Sequence, residues 1–520
     1  MKTRLLAFLP LLTLSGLVTG AAAQDFNGDQ RTDLVVGVPH EDVGAVANAG
    51  AVNVYYADPS GHISTAGAQV WDQSVPGLGE LAEAGDQFGA AVAWGDMNGD
   101  GYDDLAIGVP YEDTGNRYFG KPDAGLVHVL FGSLGGLTAG GALRYTEANY
   151  WSAEVEAGDC FGFSLAMGDV FDQGYQGLAD LVVGAPFEDI DGVIDAGAVF
   201  TFPSPFAPSS WYPQMWSQGN GLLSGSPPGA YDRFGWTLAL AEYSPFLPWL
   251  AIGIPFEDVN GRADAGAVQI LYYDTALKAL NTGGQQFWTQ DSSGILDTAE
   301  VGDNFGYSLA TGYWLYDSSY FNGRDLAVGV PGEDVGSAAD AGAVSMIYYA
   351  EAYGRLDWYA NQFVSQAMSG MPDPAEAGDA FGTAVAQARE LSGFTDLLVV
   401  GIPGEGIGSA SAAGAVILLH AGSTGIRTAN SSFLHQDSTG LLDAAEANDR
   451  FGTTLYGGIY FDGFLAAVGV PLEDVNGISD AGAVQVLYGG SSNEFWHQDV
   501  AGAPDACEAA DDFGLGLPPG

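Results

Sequence analysis

The chain has 520 residues, 47% of them hydrophobic, which supplies a large core and sets it apart from disordered polymers. Lys and Arg total 14 against 65 Asp and Glu, a formal charge of −51. A surface so acidic repels phosphate backbones and anionic lipid, which excludes nucleic acid and polybasic membrane docking and favours cations and cationic partners.

Residues 1–23 read as a secretory signal peptide, with Lys2 and Arg4 before an apolar run from Leu5 to Val18 and small residues at Ala21-Ala22-Ala23. The mature chain is expected to begin near Gln24, with no membrane insertion after cleavage, in a secreted, periplasmic or cell-surface setting. Cys160 and Cys507 are its only cysteines, so no disulfide framework supports the fold.

The mature chain opens on Asp25, Asn27, Asp29, Arg31 and Asp33, at positions 1, 3, 5, 7 and 9 of a short loop. Asp96, Asn98, Asp100, Tyr102 and Asp104 repeat that spacing. Oxygen-bearing side chains at alternate positions, with glycines to permit a tight bend, suit Ca²⁺, which takes six to eight oxygens. Position 7 ligates through its carbonyl, so Arg31 and Tyr102 need no special side chain. An EF-hand would continue to a Glu at the twelfth position inside a helix. Here LAIGVP follows, an apolar β-type run ended by proline, so the loop leads into a strand. The competing reading is an Asx-turn hairpin whose carboxylates serve only its own backbone.

This unit repeats. A Gly-x-Pro stop after an apolar run falls at Pro39, Pro110, Pro186, Pro255, Pro331, Pro403 and Pro471, nearly always followed by acid. A DAGAV-like stretch comes about a dozen residues later. Phe-Gly recurs at Phe88, Phe161, Phe234, Phe305, Phe381, Phe451 and Phe513, each with an Asp two residues before it. Three landmarks at a common spacing define seven units, each with about four strand-like runs and no amphipathic helical period. The expected fold is all-β: a seven-bladed β-propeller of four-stranded blades. A β-solenoid has much shorter repeats. The mature chain starts without a Phe-Gly strand and DFGLGL at 512–517 has nothing after it, so pairing of the N- and C-terminal strands is expected to close the ring. Residues 202–216, rich in proline and aromatics, read as a longer exposed connection.

Together, the Phe-Gly start, the DxNGDGYxD loop and the apolar GxP stop, best seen in FGAAVAWGDMNGDGYDDLAIGVP at 88–110, resemble the FG-GAP repeat of integrin α-chain propellers and secreted bacterial proteins. The resemblance covers the mature chain, 24–520, and implies calcium loops between the first and second strands of a blade. It implies no single function, because the scaffold carries adhesion, carbohydrate binding and occasional enzymes.

Elsewhere the cation pattern has decayed. The third unit keeps Asp169, Asp172 and Asp180, and the fifth Asp317 and Asp325, while the fourth, sixth and seventh lack the oxygens. A second acidic set, ED…DAGAV and WxQD…AExGDxFG, is expected on the ring face opposite the cation loops. Its recurrence favours turn capping and bonds from each Glu to a neighbouring blade's backbone over a unique site. Trp71, Trp216, Trp288 and Trp496, with Phe363 and Phe433 taken as their replacements, read as inter-blade packing. No GxSxG, HExxH or zinc-like Cys/His spacing occurs, so no catalytic residue is assigned. The sequence reads as a calcium-binding adhesion module for a protein or glycan ligand. A polysaccharide-active enzyme, lyase or hydrolase, and a structural acidic envelope protein are the alternatives.

Overall fold

The computed structural model describes residues 24–518 except 115–119, 152–154, 172–176, 208–211, 221–222, 242–247, 316–322, 351, 360, 390–394, 461–462 and 490–492. The signal-peptide reading of 1–23, and Asp172 and Asp317 of the two decayed loops, lie outside the described residues.

In the second blade the strands are Ala91–Gly95, Asp104–Val109, Leu126–Phe131 and Thr138–Tyr145, paired antiparallel in chain order. Every residue of the second and third strands is buried, because both faces of the blade are covered by neighbouring blades. That is why these strands read as largely apolar runs, broken by the buried Asp104 and His128, while the outer strand is partly exposed. Six four-stranded sheets follow this plan, and the fifth blade adds a side hairpin of Tyr349–Ala350 and Arg355–Leu356. Among the described residues the helical content is two three-residue 3₁₀ turns, and no helix is long and apolar enough to cross a membrane.

The remaining sheet has three strands, Leu34–Val38, Ala51–Ala57 and Ile63–Trp71. Its inner position is filled from the other end of the chain. Gly37 N–H donates to Gly516 O at 2.7 Å, and Gly516 N–H to Gly37 O at 3.4 Å. The ring therefore closes by joining the two ends, as expected, through a single-residue bridge in place of a full strand. The protein is a seven-bladed β-propeller.

The landmarks are inter-blade joints. All seven phenylalanines of Phe-Gly are 0% exposed, each contributing roughly 2–3 kcal/mol of burial. Phe161, for instance, packs with Val127 and Val129 of the second blade and Leu181, Val183 and Phe200 of the third. The DAG glycine lies against the next Phe-Gly backbone: Gly125 has φ +81°, and a Cβ there would come within 2.3 Å of Phe161 O.

The register corrects one reading. Trp71, Trp216, Trp288 and Trp496 pair with Val52, Val199, Val268 and Val484. In the fifth and sixth blades the equivalent partners of Val344 and Val416 are Val364 and Leu434. Phe363 and Phe433 sit one residue earlier, on the opposite strand face, level with Phe287 and Phe495. They do not replace tryptophan. The four tryptophans are buried between blades, so the packing role holds.

Candidate metal centre

The loop joining Gly95 to Asp104 folds around Asp96. Its Oδ1 accepts the N–H of Gly99 at 2.6 Å and of Asp100 at 3.2 Å, and its Oδ2 that of Gly101 at 2.8 Å. Asn98 Oδ1 accepts the Asp100 N–H, and Asp100 Oδ1 the Tyr102 N–H. Gly99 and Gly101, at φ +78° and +88°, allow this bend. Asp104 closes the loop from below: Oδ2 accepts Met97 N–H at 2.9 Å and Oδ1 accepts Gly132 N–H at 2.9 Å. Burial pushes its carboxyl up to about 7, and these N–H donors pull the other way. Asp96 Oδ2 and Asp104 Oδ1 each accept a single N–H and keep a second lone pair, so the donor set fits a hard cation.

The loop from Asp25 to Asp33 has the same internal bonding. Asp29 N–H donates to both Asp25 and Asn27, Gln30 N–H to Asp25, and Phe26 N–H to Asp33. Asp33 also accepts Ala57 N–H at 3.1 Å, and burial pushes it up to about 8. One difference bears on metal: Arg31 does use its side chain, donating to Asp29 Oδ2 at 2.8 Å. A cation there competes with a guanidinium for the fifth-position carboxylate, so the loop at 96–104 is the better site.

The two loops, read separately from sequence, are one assembly. Asp25 N–H donates to Asp103 Oδ2 at 2.8 Å, Asp103 N–H donates to Asp25 O at 3.1 Å, and Gly28 packs on the Tyr102 ring. Asp103 was not singled out as a site residue. Burial raises its carboxyl to about 7, with Asp25, Asp96 and Asp104 adding negative charge around it. The doubled acid in GYDD was the available signal.

The ninth-position acid outlasts its loop. Asp180 accepts N–H bonds from Val170, Phe171 and Ser204, and Asp325 from Trp314, Leu315 and Tyr349. In these units the residue is a buried hub joining the strand ends, which explains its retention where the loop pattern has decayed.

The opposite face carries the other acidic set, at the far end of each second strand. Asp86, Asp159, Asp232, Asp303, Asp379, Asp449 and Asp511 each accept the N–H three residues earlier, so the DxFG acid is a turn cap. In six of the seven units the Glu after the proline stop bonds a neighbouring blade, but through a side chain and not the backbone anticipated. Gln73, Gln218, Gln290, Gln366, Gln436 and Gln498 donate Nε2–H to Glu112, Glu257, Glu333, Glu405, Glu473 and Glu41. Between the second and third blades the glutamine is replaced by Glu147. Among the described residues, the acid trios whose oxygens converge within 4.8 Å are Glu147–Asp159–Glu188 and Glu376–Asp379–Glu405. Neither includes a hairpin-loop residue.

On this face Arg233 is sandwiched between the rings of Phe187 and Phe256, at 4.7 and 4.8 Å from their centroids. A cavity of about 360 Å³ runs among the inner strands, lined in part by Asp96, Asp103, Asp169, Thr311 and Arg324. Cys160 and Cys507 are free and buried, and burial pushes their thiols up to about 12 and about 11, the opposite of an activated nucleophile.

The FG-GAP repeat matches residues 18–55 and 88–130, the stretches holding both cation loops. The chain is 30% identical to integrin alpha-PS2 of Drosophila melanogaster over 46% of its length. It is 32% identical to integrin alpha-V of Gallus gallus over 32% of its length. Phosphatidylinositol-glycan-specific phospholipase D of Bos taurus is 29% identical over 36% of the chain. These matches span 15%, 14% and 20% of the relatives' own lengths. The Dos1 propeller aligns with 86% of this chain and 72% of its own at a TM-score of 0.34 and 11% identity. The chain carries FG-GAP repeats in an integrin-α-like β-propeller.

Proposed function

We propose that this FG-GAP propeller is an extracellular binding module, stiffened by Ca²⁺ at the hairpin loops, that presents a ring face to a protein or glycan ligand. The observation that carries it is the coupled pair of loops. Asp96, Asn98, Asp100 and Asp104, with the Tyr102 carbonyl, would hold one Ca²⁺. Asp25, Asn27, Asp29 and Asp33, with the Arg31 carbonyl, would hold a second, less tightly. Bound metal would neutralise carboxylates that otherwise repel one another across the Asp25–Asp103 contact. The similarity to integrin α chains supports binding over chemistry. A polysaccharide-cleaving alternative needs acids that break the repeat and also meet solvent. The set that breaks it, Glu147, Asp159 and Glu188, is 2%, 1% and 1% exposed, out of reach of a polymer.

The test is a screen of the mature protein against arrayed glycans and extracellular proteins, with Ca²⁺ and with chelator, alongside turnover of neutral and acidic glycans. Saturable binding in Ca²⁺ without turnover is the expected result. Glycan cleavage would sink the reading.

A further inference from the structure

The inner strands repeat in shape, but one of their positions differs in every blade. Trp94, Met167, Leu240, Thr311, Gln387 and Gly457 all pair with the residue three places before the glycine of their blade's Gly-x-Pro stop. All six line the central cavity of about 360 Å³. The residue before each is a buried alanine in five of the six blades. Packing between blades keeps that neighbour constant, whereas the cavity-lining position varies. In ring order the lining is apolar in the second to fourth blades, at Trp94, Met167 and Leu240. It becomes polar in the fifth and sixth, at Thr311 and Gln387.

Charge divides the cavity in the same sense. Asp96, Asp103 and Asp169 line it from the second and third blades, and Arg324 lines it from the fifth. The second and fifth blades are three steps apart in the ring, so Asp103 and the guanidinium belong to opposing walls. Asp169 follows the inner strand Ser164–Gly168 and Arg324 precedes Asp325–Val330, which places both at the hairpin-loop end. Arg324 is anchored there. Its Nη1 donates to Thr311 O at 3.3 Å, and its guanidinium carbon lies 5.4 Å from the centroid of the Tyr313 ring. Small-molecule sites are concave spaces of about 300–1,000 Å³, mainly apolar, with a few fixed polar groups. This end of the channel meets that description at the small end of the range.

We propose that the loop end of the channel binds a small zwitterion with an apolar body, about the size of a dipeptide, its ammonium towards Asp103 and Asp169 and its carboxylate towards Arg324. Asp96 is taken up by the N–H groups of its own loop, so the other two acids face the ammonium. A chain of charge −51 disfavours a net anion, and a simple cation would lie near the like charge of Arg324. A zwitterion answers both walls at no net charge. Thr311 and Gln387 offer hydrogen bonds to its peptide group, and Trp94 and Met167 cover an apolar side chain. Such a site is independent of what the ring face binds.

Isothermal titration of the mature protein with leucyl-leucine, its N-acetyl and C-amide forms, and isoamylamine tests this. Leucyl-leucine should bind saturably at one per chain, with each capped form and the amine weaker by about tenfold or more. Arg324→Gln should weaken the free dipeptide by about tenfold and leave the C-amide unchanged. Asp169→Asn should weaken the free dipeptide and leave the N-acetyl form unchanged. A variant with a damaged channel would instead weaken every ligand alike, and unchanged unfolding midpoints check that both variants fold. Absence of saturable binding at millimolar dipeptide would overturn the proposal. So would an amine that binds as tightly as the dipeptide, which marks a site for cations alone, or variants that do not distinguish free from capped ends.

Discussion

Glu112→Gln isolates one buried carboxyl of the acidic face. Glu112 is 4% exposed and accepts the Gln73 amide of the preceding blade. Burial, then the negative charge of Asp86, pushes it from 4.5 up to about 8. A raised carboxyl binds its proton more tightly folded than unfolded. Its contribution is therefore complete below about pH 4.5 and is lost as pH rises towards 8. Within that window the loss is about 1.4 kcal/mol per pH unit, so from pH 5.5 to 7.5 it reaches roughly 2–3 kcal/mol. Glutamine accepts the same Gln73 N–H without titrating. In chelator, guanidinium unfolding should show Glu112→Gln gaining stability relative to wild type by roughly 2–3 kcal/mol between pH 5.5 and pH 7.5. Raised carboxyls that do not interact with Glu112, such as Glu41 at about 8, slope identically in both proteins and cancel in the difference. A wild type–variant difference constant across this range would refute the reasoning.

Two further outcomes follow from the joints between blades. Gly125→Ala should destabilise by about 1–3 kcal/mol through its positive φ and the approach to Phe161 O. Gly44→Ala, at φ +69° with nothing within 4 Å of the added Cβ, should cost less, and equal unfolding midpoints would contradict this. At the ring closure, Gln498→Leu removes the donor to Glu41 and should cost about 1–3 kcal/mol. Limited proteolysis should then open the last blade first; uniform cleavage around the ring would argue against a discrete closure.

The fold was legible because each landmark has a steric cause that every unit shares: a buried phenylalanine, a glycine against the next blade's backbone, a proline ending an inner strand. Ring closure was legible for the same reason, since a lone Phe-Gly near one end needs the sheet begun at the other. What the sequence hid was contact between units. Nothing in the spacing of Asp25 or Asp103 tells that one loop donates to the other. The Gln–Glu bonds link residues about forty positions apart, as Gln73 and Glu112, or at opposite ends of the chain, as Gln498 and Glu41. Phe363 and Phe433 misled because an aromatic shortly before Gln looks like the tryptophan position, and only strand register separates adjacent residues onto opposite faces. Likewise Arg31 reads as a neutral seventh position until its guanidinium is seen on Asp29.

The central claim, that the hairpin loops hold calcium and stiffen the ring, is tested most directly by thermal unfolding of the mature protein in chelator, in millimolar Ca²⁺ and in matched Mg²⁺. A ligand at a hundred times its Kd adds about 2.7 kcal/mol. The account predicts a Tm raised by Ca²⁺ and not by Mg²⁺, with the increment reduced in Asp100→Ala. Identical melting in chelator and in Ca²⁺ would contradict it.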